Sequence, residues 1–146
     1  MVKPRPPLRN LAARGRFSVY AAVRENGKCP AGDFLLNDLK LIKVKDPEDP
    51  VATATDVMFG LFDDMAREGT LRDKNFGKEP GKLWAFKAEV NNKLIRFPCF
   101  RDGANLILTH GFFKHGAQKG KGKWRQEEID RANEIMFEYL IRKASQ

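Results

Sequence analysis

The side chains best suited to chemistry are His110 and His115, the only two histidines, with Lys114 beside them and Arg96 upstream. A histidine near neutral pKa can take up one proton and release another. An arginine guanidinium grips two phosphate oxygens at once, and lysine ammonium groups add positive potential around them. These parts suffice to cleave RNA without a metal or cofactor: a 2′-hydroxyl loses its proton and attacks the adjacent phosphodiester, and the leaving oxygen is protonated. Arg96, Lys114, His115 and His110 are therefore the candidate catalytic residues. A single histidine is more often structural than catalytic, so the proton-transfer role stays open between the two.

Other chemistries lack their parts. Two histidines and two distant cysteines, Cys29 and Cys99, have no metal-ligand spacing. No Walker loop, dinucleotide fingerprint, HExxH helix or serine nucleophile elbow is present. No metal and no cofactor is expected.

Between residues 82 and 125, ten Lys or Arg side chains stand against Glu89 and Asp102 alone, a surplus equal to the +8 net charge of the whole chain. Charge concentrated in this way seeks a polyanion, and in particular nucleic acid. Lys82, Lys87 and the Lys119, Lys121 and Lys123 of a Gly-rich loop are the candidate RNA-binding residues. Trp84, Phe97, Phe100 and Trp124 are candidates for stacking on bases. The competing reading puts those rings in the core and leaves the lysines as solubilising charge.

The elements that must position these residues follow from pattern. Pro4, Pro6 and Pro7 among charged neighbours make residues 1–15 a flexible basic N-terminal arm, with residues 16–146 as a single domain. RFSVYAAV, followed by Glu25-Asn26-Gly27, predicts a strand over Arg16–Val23. A short helix is expected over Asp33–Lys40. A longer one is expected from Asp49, as its cap, to Gly69, with a core-facing stripe of Ala54, Val57, Met58, Leu61, Phe62 and Met65. Three strands then follow at 83–90, 93–101 and 105–113. Asn91-Asn92 and Asp102-Gly103 separate them into a meander. Pro98 has no N–H for the ladder and predicts a local irregularity. The last helix, Gln126–Lys143, carries acids at its start and bases at its end. The expected order is β-α-α-β-β-β-α. That is an α+β domain whose mainly antiparallel sheet has helices packed on one face and basic residues on the other.

No apolar run reaches the roughly 18 residues of a membrane helix, and the basic, Pro-rich N-terminus lacks the apolar core of a secretory signal. Two isolated cysteines suit a reducing compartment. A cytoplasmic protein with no membrane partner is expected.

KLWAFKAEVNNKLIRFPCFRDGANLILTHGFFKHG followed by EEIDRANEIMFEYL resembles the phage-type branch of the RelE/HigB toxins of type II toxin-antitoxin systems. The shared features are Lys82, Leu83, Trp84 and Lys87; Arg96 with Phe97; His110, Gly111, Phe112 and Lys114; and Glu127, Glu128, Ile129 and Ala132. GKCPAGDFLLNDL, upstream, is similar to the segment before the family's first helix. The resemblance implies a small RelE-like domain that enters the ribosome and cuts translated mRNA. A cognate antitoxin, expected to be a helix-turn-helix protein, would hold it inactive. By the same resemblance Arg96 would hold the scissile phosphate, Lys82, Lys87 and Lys114 would add charge, and His115 or His110 would move protons. The chain departs from the family at His115, where a second Lys is usual, and in Lys123-Trp124-Arg125, where Thr-Pro is usual. Two alternatives accompany this reading: a non-catalytic RNA- or ribosome-binding module, and a gyrase-inhibiting toxin of the same fold.

Overall fold

Two tight turns lay down the centre of the sheet. Asn91 and Asn92 take φ of 49° and 64°, which their short polar side chains tolerate, so the chain reverses in two residues and Val90 pairs with Lys93. Gly103, at φ 62°, does the same between Asp102 and Asn105. The computed structural model describes residues 8–12, 15–45, 48–115 and 124–145.

The strands are β1 (Leu8–Ala12), β2 (Ser18–Ala22), β3 (Phe76–Lys78), β4 (Trp84–Val90), β5 (Lys93–Asp102), β6 (Asn105–Leu108) and β7 (Phe112–Lys114). They form one sheet in the order β1-β2-β6-β5-β4-β3, with β7 also pairing β5. Every pairing is antiparallel except β2 with β6. The helices are α1 (Pro30–Asp33), which runs on through a π turn and a 3-10 turn to Leu41, α2 (Ala54–Glu68) and α3 (Gln126–Ala144). The α+β class with a mainly antiparallel sheet is as expected from the sequence.

Several details differ. Residues 8–12, assigned to the arm, form edge strand β1, and Leu11 packs against the core; residues 1–7 lie outside the described residues. Helix α2 starts later than Asp49 because Thr53 and Asp56 make a capping box, the Asp56 carboxylate accepting the Thr53 N–H at 2.8 Å. Asp49 instead accepts the Val51 N–H in the preceding turn. The exit at Gly69, in the left-handed region at φ 79°, is as expected. Strand β3 was not read from the sequence.

The helices do not share a face. On one side of the sheet Val19, Ala21, Phe86, Phe97, Cys99 and Leu108 pack against Met58, Phe62 and Met65 of α2 and against Phe34, Leu35 and Leu39. On the other, Ala22, Phe100 and Ile107 pack against Ala132, Ile135, Met136 and Tyr139 of α3. Alternation along β5 separates the two sets: Phe97 and Cys99 point one way, and Phe100 the other. Asp102 pins the far end of α3, accepting from the Tyr139 hydroxyl at 2.8 Å and from Lys143 Nζ at 2.6 Å.

Pro98 produces its irregularity on the neighbouring strand. Its carbonyl accepts the Thr109 N–H at 2.9 Å. A regular antiparallel pair would return a bond from residue 98 to residue 109, and proline has no N–H to give. Cys99 is opposite Leu108 while Arg96 is opposite Phe112, so one extra residue is accommodated between β6 and β7. The expected single strand 105–113 is thereby split at Thr109–Gly111. Gly111 is needed there, because a Cβ would run into the Phe34 ring and lie 2.7 Å from Phe97 Cε1.

Candidate functional site

Helix α3 covers β2, β6 and the far part of β5, and through Ile129 it also reaches Ala85 of β4 and Phe112 of β7. Beside that contact, the near halves of β4, β5 and β7 carry a different set of side chains. Register places Lys87 of β4 directly opposite Arg96 of β5, and Lys114 of β7 opposite Leu94, one diagonal step from Arg96. Alternation turns all three to the face away from α2. Three cations from three adjacent strands thus converge.

Each is held by its surroundings. Arg96 is 7 % exposed, and its Nη1 donates to the Ile95 carbonyl at 2.9 Å. Lys114 is 8 % exposed. Lys87 leans towards β3, where Gly77 has no side chain: a Cβ there would lie 3.0 Å from Lys87 Nζ. Among the described residues no carboxylate forms an ion pair with Lys87 or Arg96. Burial pulls the Arg96 guanidinium below its usual pKa, and Glu79 and Glu89 act against that shift. Burial, with Arg96 and Lys87 nearby, likewise lowers the Lys114 ammonium, and Glu79 opposes it.

Glu79 completes the cluster, and sequence reading missed it. It follows β3 in a turn closed by its own N–H to the Leu83 carbonyl at 3.0 Å. Lys78 clasps that turn, donating to the carbonyls of Glu79, Gly81 and Leu83. Burial raises the Glu79 carboxyl pKa against the pull of Lys87, Arg96, Lys114 and Lys78. The only signal in the sequence was an acid four residues before the Leu83–Val90 strand. Its neighbours in space come from three other strands.

The two histidines part company. His110 lies in the bulge opposite Pro98, fully enclosed, with Nδ1 3.1 Å from Thr109 Oγ1 and Nε2 3.4 Å from Glu128 Oε1 at the start of α3. Burial, reinforced by Arg131, pushes its pKa down to about 3. It is thus neutral near pH 7, enclosed between the Phe112 ring, on which it stacks at 5.4 Å between centroids, and the start of α3. His115 is exposed at the end of β7, beside Lys114. With Phe112, Lys114, Trp124 and Glu128 it lines a hollow of about 90 Å³.

Lys82 is exposed in the turn before β4. Lys119, Lys121 and Lys123 lie outside the described residues. Of the rings proposed to stack on bases, Phe97, Phe100 and Trp124 are buried. Only Trp84 remains partly open, and it faces the α2 side, stacked on Phe76 at 5.5 Å between centroids. Among the described residues no group of His, Cys, Asp and Glu could hold a metal ion. No described helix is long and apolar enough to cross a membrane.

The cluster can neutralise a phosphodiester, with a guanidinium in the middle and an ammonium on either side. It also holds a carboxyl with a raised pKa and an ammonium with a lowered one, which makes proton exchange accessible to both. A family model, that of phage-derived Gp49-like proteins (DUF891), matches residues 39–136, a span that contains all four residues of the cluster. No curated protein and no solved structure matches the chain.

Proposed function

The chain belongs to the Gp49-like family, a toxin-like family of the RelE/HigB superfamily whose members imply a cognate antitoxin, and on that premise we propose that it is a toxin that cuts mRNA on the ribosome. The observation that carries this reading is the trio Lys87, Arg96 and Lys114, which share one sheet face without an ion-paired carboxylate on Lys87 or Arg96.

In this reading Arg96 grips the non-bridging oxygens of the scissile phosphate, and Lys87 and Lys114 neutralise the charge that develops on them. The RNA 2′-hydroxyl passes its proton to a nearby acceptor, its oxygen attacks phosphorus, and the bond to the 5′-oxygen breaks. That oxygen takes a proton from Lys114 or His115. Glu79 is the acceptor inside the cluster, and His115 is the proton carrier at its edge. His110, enclosed and neutral, has a structural part. Lys82 adds charge at the rim.

The test is induction of the wild type and of Arg96→Ala in cells, followed by mapping of mRNA 5′ ends. New ends within translated frames are expected with the wild type and not with the variant. Absence of new ends with wild type rejects cleavage. The enclosure of His110 favours one second reading, ribosome binding without cleavage, since it removes one of two candidate proton carriers. That reading predicts translation arrest with intact mRNA and strongly salt-dependent binding.

A further inference from the structure

Helix α2 ends at Gly69, before the sheet it covers ends. The last row of side chains on that face is left under a loop, residues 70–75, and a cavity of about 330 Å³ opens there. Its walls are Phe17, Met65, Leu71, Phe76, Trp84 and Leu106. The volume is in the range of ligand sites, and the apolar walls with few polar groups are what such sites share. Trp84 is 36 % exposed, and the cavity lies on the sheet face opposite the Lys87-Arg96-Lys114 cluster.

The rim is cationic. The Arg101 guanidinium carbon sits 5.0 Å from the Phe17 ring centre, and Lys78 Nζ sits 5.6 Å from that of Trp84. The Arg16 side chain packs against Gly69. Arg72 and Lys74 are exposed on the covering loop. Among the described residues, Asp73 is the one acid lining the cavity. An apolar floor inside a ring of like charge selects an apolar anchor with carboxylates beside it. Phosphodiester backbone fits less well, because Met65, Leu71 and Leu106 offer aliphatic rather than stacking surface.

We infer that this cavity docks an acidic segment of a partner protein through an aromatic or branched aliphatic side chain. The partner is identified with the antitoxin only through the toxin reading above; the site itself does not depend on it. A toxin held this way is gripped on the face its RNA does not use.

The probe is the peptide acetyl-Glu-Asp-Leu-Phe-Glu-Asp-amide, titrated into the full chain while the two tryptophan indole N–H signals are followed by NMR. Saturable movement of the Trp84 signal with Trp124 unmoved is expected. Arg101→Glu and Leu71→Asp are each expected to weaken binding at least 10-fold while mRNA cleavage persists, and Arg96→Ala should leave peptide binding intact. Absence of a Trp84 shift overturns the inference, as does equal binding of the Lys-flanked counterpart or loss of binding in Arg96→Ala. Displacement of the peptide by oligouridylate reassigns the cavity to RNA and overturns it too. Peptide binding without any mRNA cleavage leaves the docking site standing and removes the endonuclease reading.

Discussion

Lys87 and Arg96 stand directly opposite one another across β4 and β5, two like charges in the closest cross-strand relationship a sheet provides. Such a pair opposes folding by about 0.2–1 kcal/mol. Lys87→Gln is therefore expected to raise the midpoint of urea unfolding, with the gain shrinking as salt is added. The same variant should cut mRNA less efficiently. A variant that is both less stable and fully active would show that the pair serves the fold rather than the RNA.

Replacing Glu79 tests the proton acceptor. Glu79→Gln removes the basic oxygen and keeps the shape, and loss of a general base typically costs about 10²- to 10⁴-fold in rate. Affinity for RNA should hold or rise, since a negative charge leaves a phosphate site. The expected result in single-turnover cleavage is a fall in the chemical rate at unchanged half-saturation, with the acidic limb of the pH profile lost. Equal activity of Glu79→Gln assigns the acceptor role to another group.

Enclosed His110 should make stability depend on pH. Its folded pKa, about 3, lies below the ordinary value of 6.5. The unfolded chain therefore takes up a proton as pH falls through 6.5, while the folded protein does not. Stability is present above 6.5 and is lost below it, by about 1.4 kcal/mol per pH unit down towards 3. Glu128, whose carboxyl pKa is raised by burial, works with the opposite sign. Comparison with His110→Leu isolates the histidine: between pH 6.5 and 5 the wild type should lose about 2 kcal/mol more than the variant in urea unfolding. Parallel curves would mean that His110 titrates normally.

Gly111→Ala should destabilise by roughly 1–3 kcal/mol, the usual cost of forcing a methyl into a filled core. The new carbon meets the rings of Phe34 and Phe97. Because Phe112 and Lys114 follow at once, the variant should also shift the Lys114 amide and weaken RNA binding. An unshifted spectrum with wild-type stability would contradict this packing.

Where the sequence was legible, the signal was local. The Asn91-Asn92 turn, the Gly69 exit and the charged ends of α3 were each written in a few adjacent residues. The faces of the sheet were not. Alternation says that Phe97 and Phe100 point apart, but nothing near them says that α2 takes one and α3 the other. Strand β3 is three residues long and contains Gly77, too short for period-two alternation to register. Arg96 stood out as a charge within an apolar strand. His110 and His115 looked equivalent until the bulge opposite Pro98 enclosed the first and left the second exposed. Glu79 joins its cations only through the turn that brings β3 beside β4.

The parallel pairing of β2 with β6 bears on how this chain is made. Val19 hydrogen-bonds alongside Leu106, and those residues leave the ribosome far apart in time. Synthesis at about 5–20 residues per second puts several seconds between them. Until then β2 lacks its inner neighbour, and Lys87 and Arg96 still wait for β7. Under the proposed function, the nascent chain has no completed phosphate-binding face during that interval, in which a cognate antitoxin can arrive.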